Sequence, residues 1–396
     1  MGGKARRRLA AAVARDLRRT ALAALAAILG LTALFTVSPS ALAHGNDSGF
    51  EARSADASNP FRGSSLTFDQ SMTTQTADVG PAPLSYVPLY QVWLSLRPIY
   101  WLDAHWSVRG RFDYFKELTN DEDTTYYRED VFGDIWTDLV YHDELDALWP
   151  RSSFTGGLRA VWPTSKASQG EGMYVALGAF GRVAHTFELA GEGAPAFENL
   201  QVKIGAWYDH PFTNATTPNA YGNFAYVREN VDGQSFVSDQ IQGQTLVANS
   251  LVGTLDVGLA VTPKLFVDSN LVFINNWHYR PTDSCVMTSM GCVNVGRPND
   301  EQFTQETWFV FSADYSVMKE LDVGVGYYNL ANLIAPDGQR RSVFGSDNIW
   351  WSPDARFFLD ITANIDAILD DALGHRYSSK ETGRADRTGP SSGAIR

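Results

Sequence analysis

Long apolar runs are what this chain lacks. After Ala43 no stretch approaches the roughly 18 apolar residues that a membrane-spanning helix needs, so any insertion into a bilayer must be made by strands. Cysteine is scarce as well, with only Cys285 and Cys292, seven positions apart. Gly291 lies between them and Pro281 and Pro298 flank them, so in an exported protein the pair predicts one disulfide tying off a loop. With only His278 nearby, the two thiolates form an incomplete zinc set, and no metal or other cofactor is expected. Basic residues are in deficit: 32 Lys and Arg face 45 Asp and Glu, for a net charge of −13. A nucleic-acid partner would require a basic surface and is excluded.

The chain opens with an export pattern. Lys4, Arg6, Arg7, Arg8, Arg15, Arg18 and Arg19 precede the largely apolar run Ala21–Val37, and Ala41-Leu42-Ala43 fits the small-residue cleavage rule. Residues 1–43 are therefore expected to be a signal peptide, and the rest carries a charge of about −19. Residues 44–65 are polar and rich in Gly, Ser and Asn, predicting a loose N-terminal arm.

Beyond it, apolar and polar residues alternate with a period of two. Tyr90, Val92, Leu94 and Leu96 share one face; Gln91, Ser95 and Arg97 share the other, where Trp93 is an exception. After Asp103–His105 the pattern resumes, with Val108, Phe112 and Tyr114 set against Ser107, Arg109, Arg111 and Asp113. Near residue 200, Leu200, Val202, Ile204, Ala206 and Tyr208 oppose Gln201, Lys203 and Asp209, with Trp207 out of pattern. Side chains of a strand point alternately to its two faces. Each segment is thus a strand with one oily and one polar side.

About twelve such segments are predicted, each long enough for a tilted crossing of the hydrocarbon layer. They are Leu66–Thr74 (the weakest), Leu89–Leu102, Trp106–Leu118, Phe132–His142, Phe154–Pro163 and Tyr174–Glu188. The second half holds Leu200–Phe212, Leu246–Val261, Leu265–Trp277, Thr307–Met318, Leu321–Ile334 and Arg356–Leu369. Short connections at Asp103–His105, Asp143–Ser153, Thr262–Lys264 and Lys319–Glu320 alternate with long polar ones at Thr119–Val131, Thr213–Thr245, His278–Glu306 and Ala335–Ala355. Only Leu189–Asn199 is of middling length. This phase separates the inner end of a barrel from its outer end; a β-sandwich would mix its loop lengths. Tyr100, Trp101, Trp106, Trp162 and Trp277 sit at strand ends, where an interfacial aromatic girdle belongs.

On these features the chain resembles the porin-like Gram-negative outer-membrane β-barrel class, over residues 66–369. The resemblance rests on architecture and not on a signature motif. It implies a closed antiparallel up-and-down barrel in contact with outer-membrane lipid, because no sheet edge can be left unpaired there. It also implies insertion machinery that reads a terminal aromatic. Here the last strand, Phe357–Ile365, lacks that aromatic, and a polar tail, residues 370–396, follows.

Chemistry has little foothold. Gly-x-Ser-x-Gly, His-Glu-x-x-His, phosphate-loop and calcium-loop motifs are all missing. His105-Trp106-Ser107 is similar to the His–Ser spacing of outer-membrane phospholipase A, but Val108 stands where an Asn is expected, and the segment lies at the inner end. The chain is not expected to be an enzyme.

Inward charge is the more informative constellation. The early strands contribute Arg97, Arg109, Arg111, Arg159, Arg182 and Lys203; the later ones contribute Asp256, Asp268, Asp314, Asp322 and Asp360. If the sheet closes in sequence order, bases line one wall and acids the other, with Asp113, Asp134 and Asp138 among the bases. Such walls set a transverse field across a water-filled bore. The expectation is a narrow channel for passive diffusion of small hydrophilic solutes or ions. Alternatives are a charge-plugged barrel with a structural, adhesive or lipid-contact role, in which long Arg side chains pair across a modest bore, and a secreted soluble β-sandwich. Loop Thr213–Thr245, with Asn214, Asn219, Tyr221, Asn223, Phe224 and Tyr226, is a candidate gate or ligand-binding surface.

Overall fold

The computed structural model describes residues 59–74, 76, 89–119, 128, 130–147, 149–189, 199–216, 226–229, 235–238, 245–280, 286–288, 291–293, 303–332, 349–351 and 355–373. The expected signal peptide, most of the arm and the tail beyond 373 lie outside these residues. So do Cys285 and most of the loop Thr213–Thr245. Cys292 stands in a small loop hairpin, opposite Met287.

Twelve crossings form one antiparallel sheet. They are β1 (Ser65–Thr73), β2 (Tyr90–Arg97, continued by Ile99–Trp101), β3 (Trp106–Glu117), β4 (Ile135–Glu144), β5 (Ser152–Trp162) and β6 (Met173–Glu188). There follow β7 (Asn199–Thr213), β8 (Val247–Thr262), β9 (Leu265–His278), β10 (Phe303–Met318), β11 (Leu321–Asn332) and β12 (Arg356–Asn364). Each strand pairs with its sequence neighbours, and β1 also pairs with β12, Asp69 opposite Asp360. That last ladder closes the ring and removes both edges, which satisfies every strand's backbone without water.

Local chemistry sets the ends. At one end the chain reverses within a few residues: Thr262 Oγ1 accepts from the backbone N–H groups of Lys264 (3.2 Å) and Leu265 (2.9 Å). At the β2–β3 turn, Asp103 Oδ1 accepts from the N–H groups of His105 and Trp106, both at 2.7 Å. The bonds from Trp106 and then His105 hold the Asp103 carboxyl below the usual carboxylate range. Pro98 interrupts β2 because it has no N–H to give, but its carbonyl still accepts from Gly110 N at 2.8 Å.

The last strand departs from the sequence expectation. It ends at Asn364, five residues before Leu369, and residues Ile365–Leu373 form helix α2. From Ile365 the apolar spacing changes from two to three and four, as in Ile365, Ile368 and Leu369, and a strand cannot present that pattern on one face. Asp366 secures the switch. Its Oδ2 accepts from Gly63 N (2.7 Å) and its Oδ1 from Ala367 N (2.8 Å), while Ile365 N donates to the Ser64 carbonyl (2.9 Å). A carboxylate in the first turn also suits the helix dipole.

Candidate functional site

The two faces of the ring differ in kind. Leu94, Leu139, Leu158, Phe311, Val325 and Ile361 point outward, large and exposed, around the circumference. The polar halves of the same strands point inward and surround a cavity of about 1490 Å³. A belt of exposed apolar side chains on a closed barrel is stable against lipid chains and not against water. This is a membrane-spanning β-barrel.

Solved structures similar to the barrel include an outer membrane channel from Pseudomonas putida F1, with 12% identity, 79% of this chain and 99% of that one covered, and a TM-score of 0.43. The NanC porin matches at 11% identity, 76% and 98% coverage and 0.36. Outer membrane phospholipase A from Escherichia coli matches at 11%, 77% and 93%, and 0.31. No family model and no curated protein matches the chain.

The cavity of this barrel is rimmed at the tight-turn end by Ala104, Pro263, Lys264 and Lys319. Arg97, Arg109, Arg111, Arg159 and Arg182 line it from β2, β3, β5 and β6. Lys203 on β7 is instead buried in the wall, 1% exposed, with Nζ 3.9 Å from Asp256 Oδ1. Asp256, Asp314, Asp322 and Asp360 line the cavity from the later strands, while Asp268 is buried beside them. Each half also holds charge of the other sign. Arg159 makes a bidentate pair with Asp138, Nε to Oδ1 and Nη2 to Oδ2, both at 2.9 Å. Arg111 Nε lies 2.6 Å from Asp113 Oδ2. On the acidic side, Asp69 faces Asp360 across the closing ladder, and Arg356 lies further along β12.

Asp134 does not join the inward set. It precedes β4, and its carboxylate accepts from Ser165 N (2.8 Å) and from Ser168 Oγ, anchoring the one-turn helix α1 (Lys166–Gly170) at the long-loop end. Glu171 follows α1. Burial, and then the nearby Asp134 carboxylate, push Glu171 up to about 7. The folded loop therefore keeps a proton that the unfolded chain releases, and stability falls as pH rises from about 4.5 to about 7. Glu171→Gln is expected to flatten this dependence and to exceed the native chain above pH 7 by about 2 kcal/mol. Proteolysis of the 163–172 loop across this pH range measures it; parallel profiles for the two proteins would refute it.

The interior holds rings that period-two reading did not assign to it. Trp93 and Trp207, the two exceptions to the alternation, are inward residues of the cavity wall, joined there by Trp136, Phe180 and Trp308. On β8–β12 an apolar cluster includes Val252, Val272, Trp308, Val310 and Tyr328. The broken alternation was the available signal. Another is β10, where Trp308 and Val310 interleave with Phe309 and Phe311, so that both faces are apolar, as in strands buried on both sides.

The His105-Trp106-Ser107 motif is not assembled as a pair. His105 Nδ1 lies 3.1 Å from the His142 carbonyl, whereas Ser107 is fully buried. Ser152 and His185 do meet, Oγ to Nδ1 at 2.8 Å, with Trp149 stacked on the imidazole at 4.4 Å. They are 33 residues apart and became neighbours only through the β5–β6 register.

Proposed function

We propose that the lumen is a narrow path for passive diffusion of small hydrophilic solutes, and that the chain acts by passage and not by catalysis. The observation that carries this reading is the cavity itself, whose lining guanidinium groups lie mainly on β2–β6 and the turns between them; Asp69, Asp256, Asp314, Asp322 and Asp360 line it from β1 and β8–β12, and Asp138, Glu144, Asp146 and Glu188 line it among the bases. Opposed fixed charges orient dipolar solutes and bias ion passage. The paired charges Arg159–Asp138 and Arg111–Asp113 favour a second reading, a plugged barrel that serves as a scaffold.

Planar-bilayer recording separates the two. A channel gives discrete conductance steps, and Arg109→Gln with Arg111→Gln shifts the reversal potential in a salt gradient toward cation preference, a several-fold change in permeability ratio. Folded protein that leaves the bilayer silent would establish the plug.

A further inference from the structure

Two different surfaces face each other across the cavity. On the β2–β6 side, rings and guanidinium groups alternate along the wall. The central carbon of Arg111 lies 5.9 Å from the Trp93 ring centre and 4.9 Å from that of Trp136. That of Arg159 lies 4.3 Å from Trp136 and 5.4 Å from Phe180. Asp113 and Asp138 hold the two arginines in place, and Asp209 is near Arg159. Arg97, Arg109 and Arg182 line the same side, so five guanidinium groups stand around these three carboxylates, while Glu144, Asp146 and Glu188 line it with Arg151 nearer the tight-turn end. On the β8–β12 side, Val272, Trp308 and Val310 line the same cavity from the apolar cluster, between the carboxylates Asp256, Asp314, Asp322 and Asp360, which turn a bound anion toward the arginine side.

A bare inorganic ion or a sugar gains little from an apolar wall, because shedding its water there goes uncompensated. A cation is disfavoured by the arginines. A flat ring carrying a carboxylate matches both surfaces: its body packs on Trp308 and the valines, and its oxygens accept from guanidinium groups, whose planar fork suits a carboxylate. We propose that this level of the lumen is a binding site for small aromatic carboxylates. The proposal rests on the reading of the lumen as a solute path and names its solute class.

The test is calorimetric titration of the intact barrel in detergent micelles with benzoate, acetate and benzyl alcohol, which carry both features, the charge alone and the ring alone. Benzoate is expected to bind saturably and at least about tenfold more tightly than either of the others. Trp136→Leu removes the ring on which the Arg111 and Arg159 guanidinium groups rest and is expected to weaken it about five- to tenfold. Trp308→Leu, on the opposite wall, should act in the same direction and carries the test should the first variant not fold. Equal affinity for the three probes, no saturable benzoate binding, or undiminished affinity in both folded variants would overturn the proposal. Because binding is read without current, benzoate binding with a silent bilayer would overturn the channel and keep the site. Conductance without benzoate binding would do the reverse.

Discussion

Gly157→Val will prevent the barrel from forming. Gly157 lies on β5 opposite Val140 of β4 and Phe180 of β6. A Cβ there would stand 2.4 Å from the Leu139 carbonyl oxygen and 2.8 Å from the Phe180 ring. The first contact is with backbone in the adjacent ladder, which cannot move without opening the sheet; the second would drive Phe180 off Arg159. The expected cost is at least about 3 kcal/mol, at the upper end for overpacking. Loss of the heat-modifiable band on a semi-native gel reads it out. Gly170→Ala is the control, since a Cβ there meets nothing within 4 Å. A Gly157→Val protein with native gel mobility and yield would show that β4 and β5 are not packed as described.

Removing one partner of the Arg159–Asp138 pair should be nearly as damaging. The two side chains are only 13% and 12% exposed. Arg159→Met leaves the Asp138 carboxylate without its bidentate counter-ion and removes the nearer of the two guanidinium groups over Trp136, an expected loss of about 3 kcal/mol. The double variant Arg159→Met with Asp138→Leu removes both charges and should recover most of that loss, so the single change is worse than the pair of changes. Urea unfolding of the four proteins of this cycle gives the coupling. Simple additivity would mean that water in the lumen already screens the pair, leaving little interaction to lose.

These two sites show how far reading the chain residue by residue could go. The segment Leu66–Thr74 was the weakest of the twelve and yet lies within one residue of β1, because Leu66, Phe68 and Met72 keep their face even where the flanking residues are polar. Phe357–Ile365 alternates well, which carries the expected strand past its end; the apolar spacing changes at Ile365, and what fixes the helix start there is Gly63 N donating to Asp366 and Ile365 N donating to the Ser64 carbonyl, some three hundred positions earlier. Asp134 read as an inward acid by position, but its helix-anchoring contacts come from Ser165 and Ser168, about thirty residues on. Trp93 and Trp207 were visible as anomalies without a meaning until rings from other strands stood beside them.

Alternation along a strand is a local property of the backbone, so the order of residues alone determined how many strands form and which side chains share a face. Meetings between strands are another matter. That Arg111 lies between Trp93 and Trp136 depends on the registers of β2 with β3 and β3 with β4. A slip of two residues in either ladder would leave every face unchanged and part those groups. Closure of the ring, with its tight turns and close glycine contacts, excludes such slips, and only the tertiary structure contains that constraint.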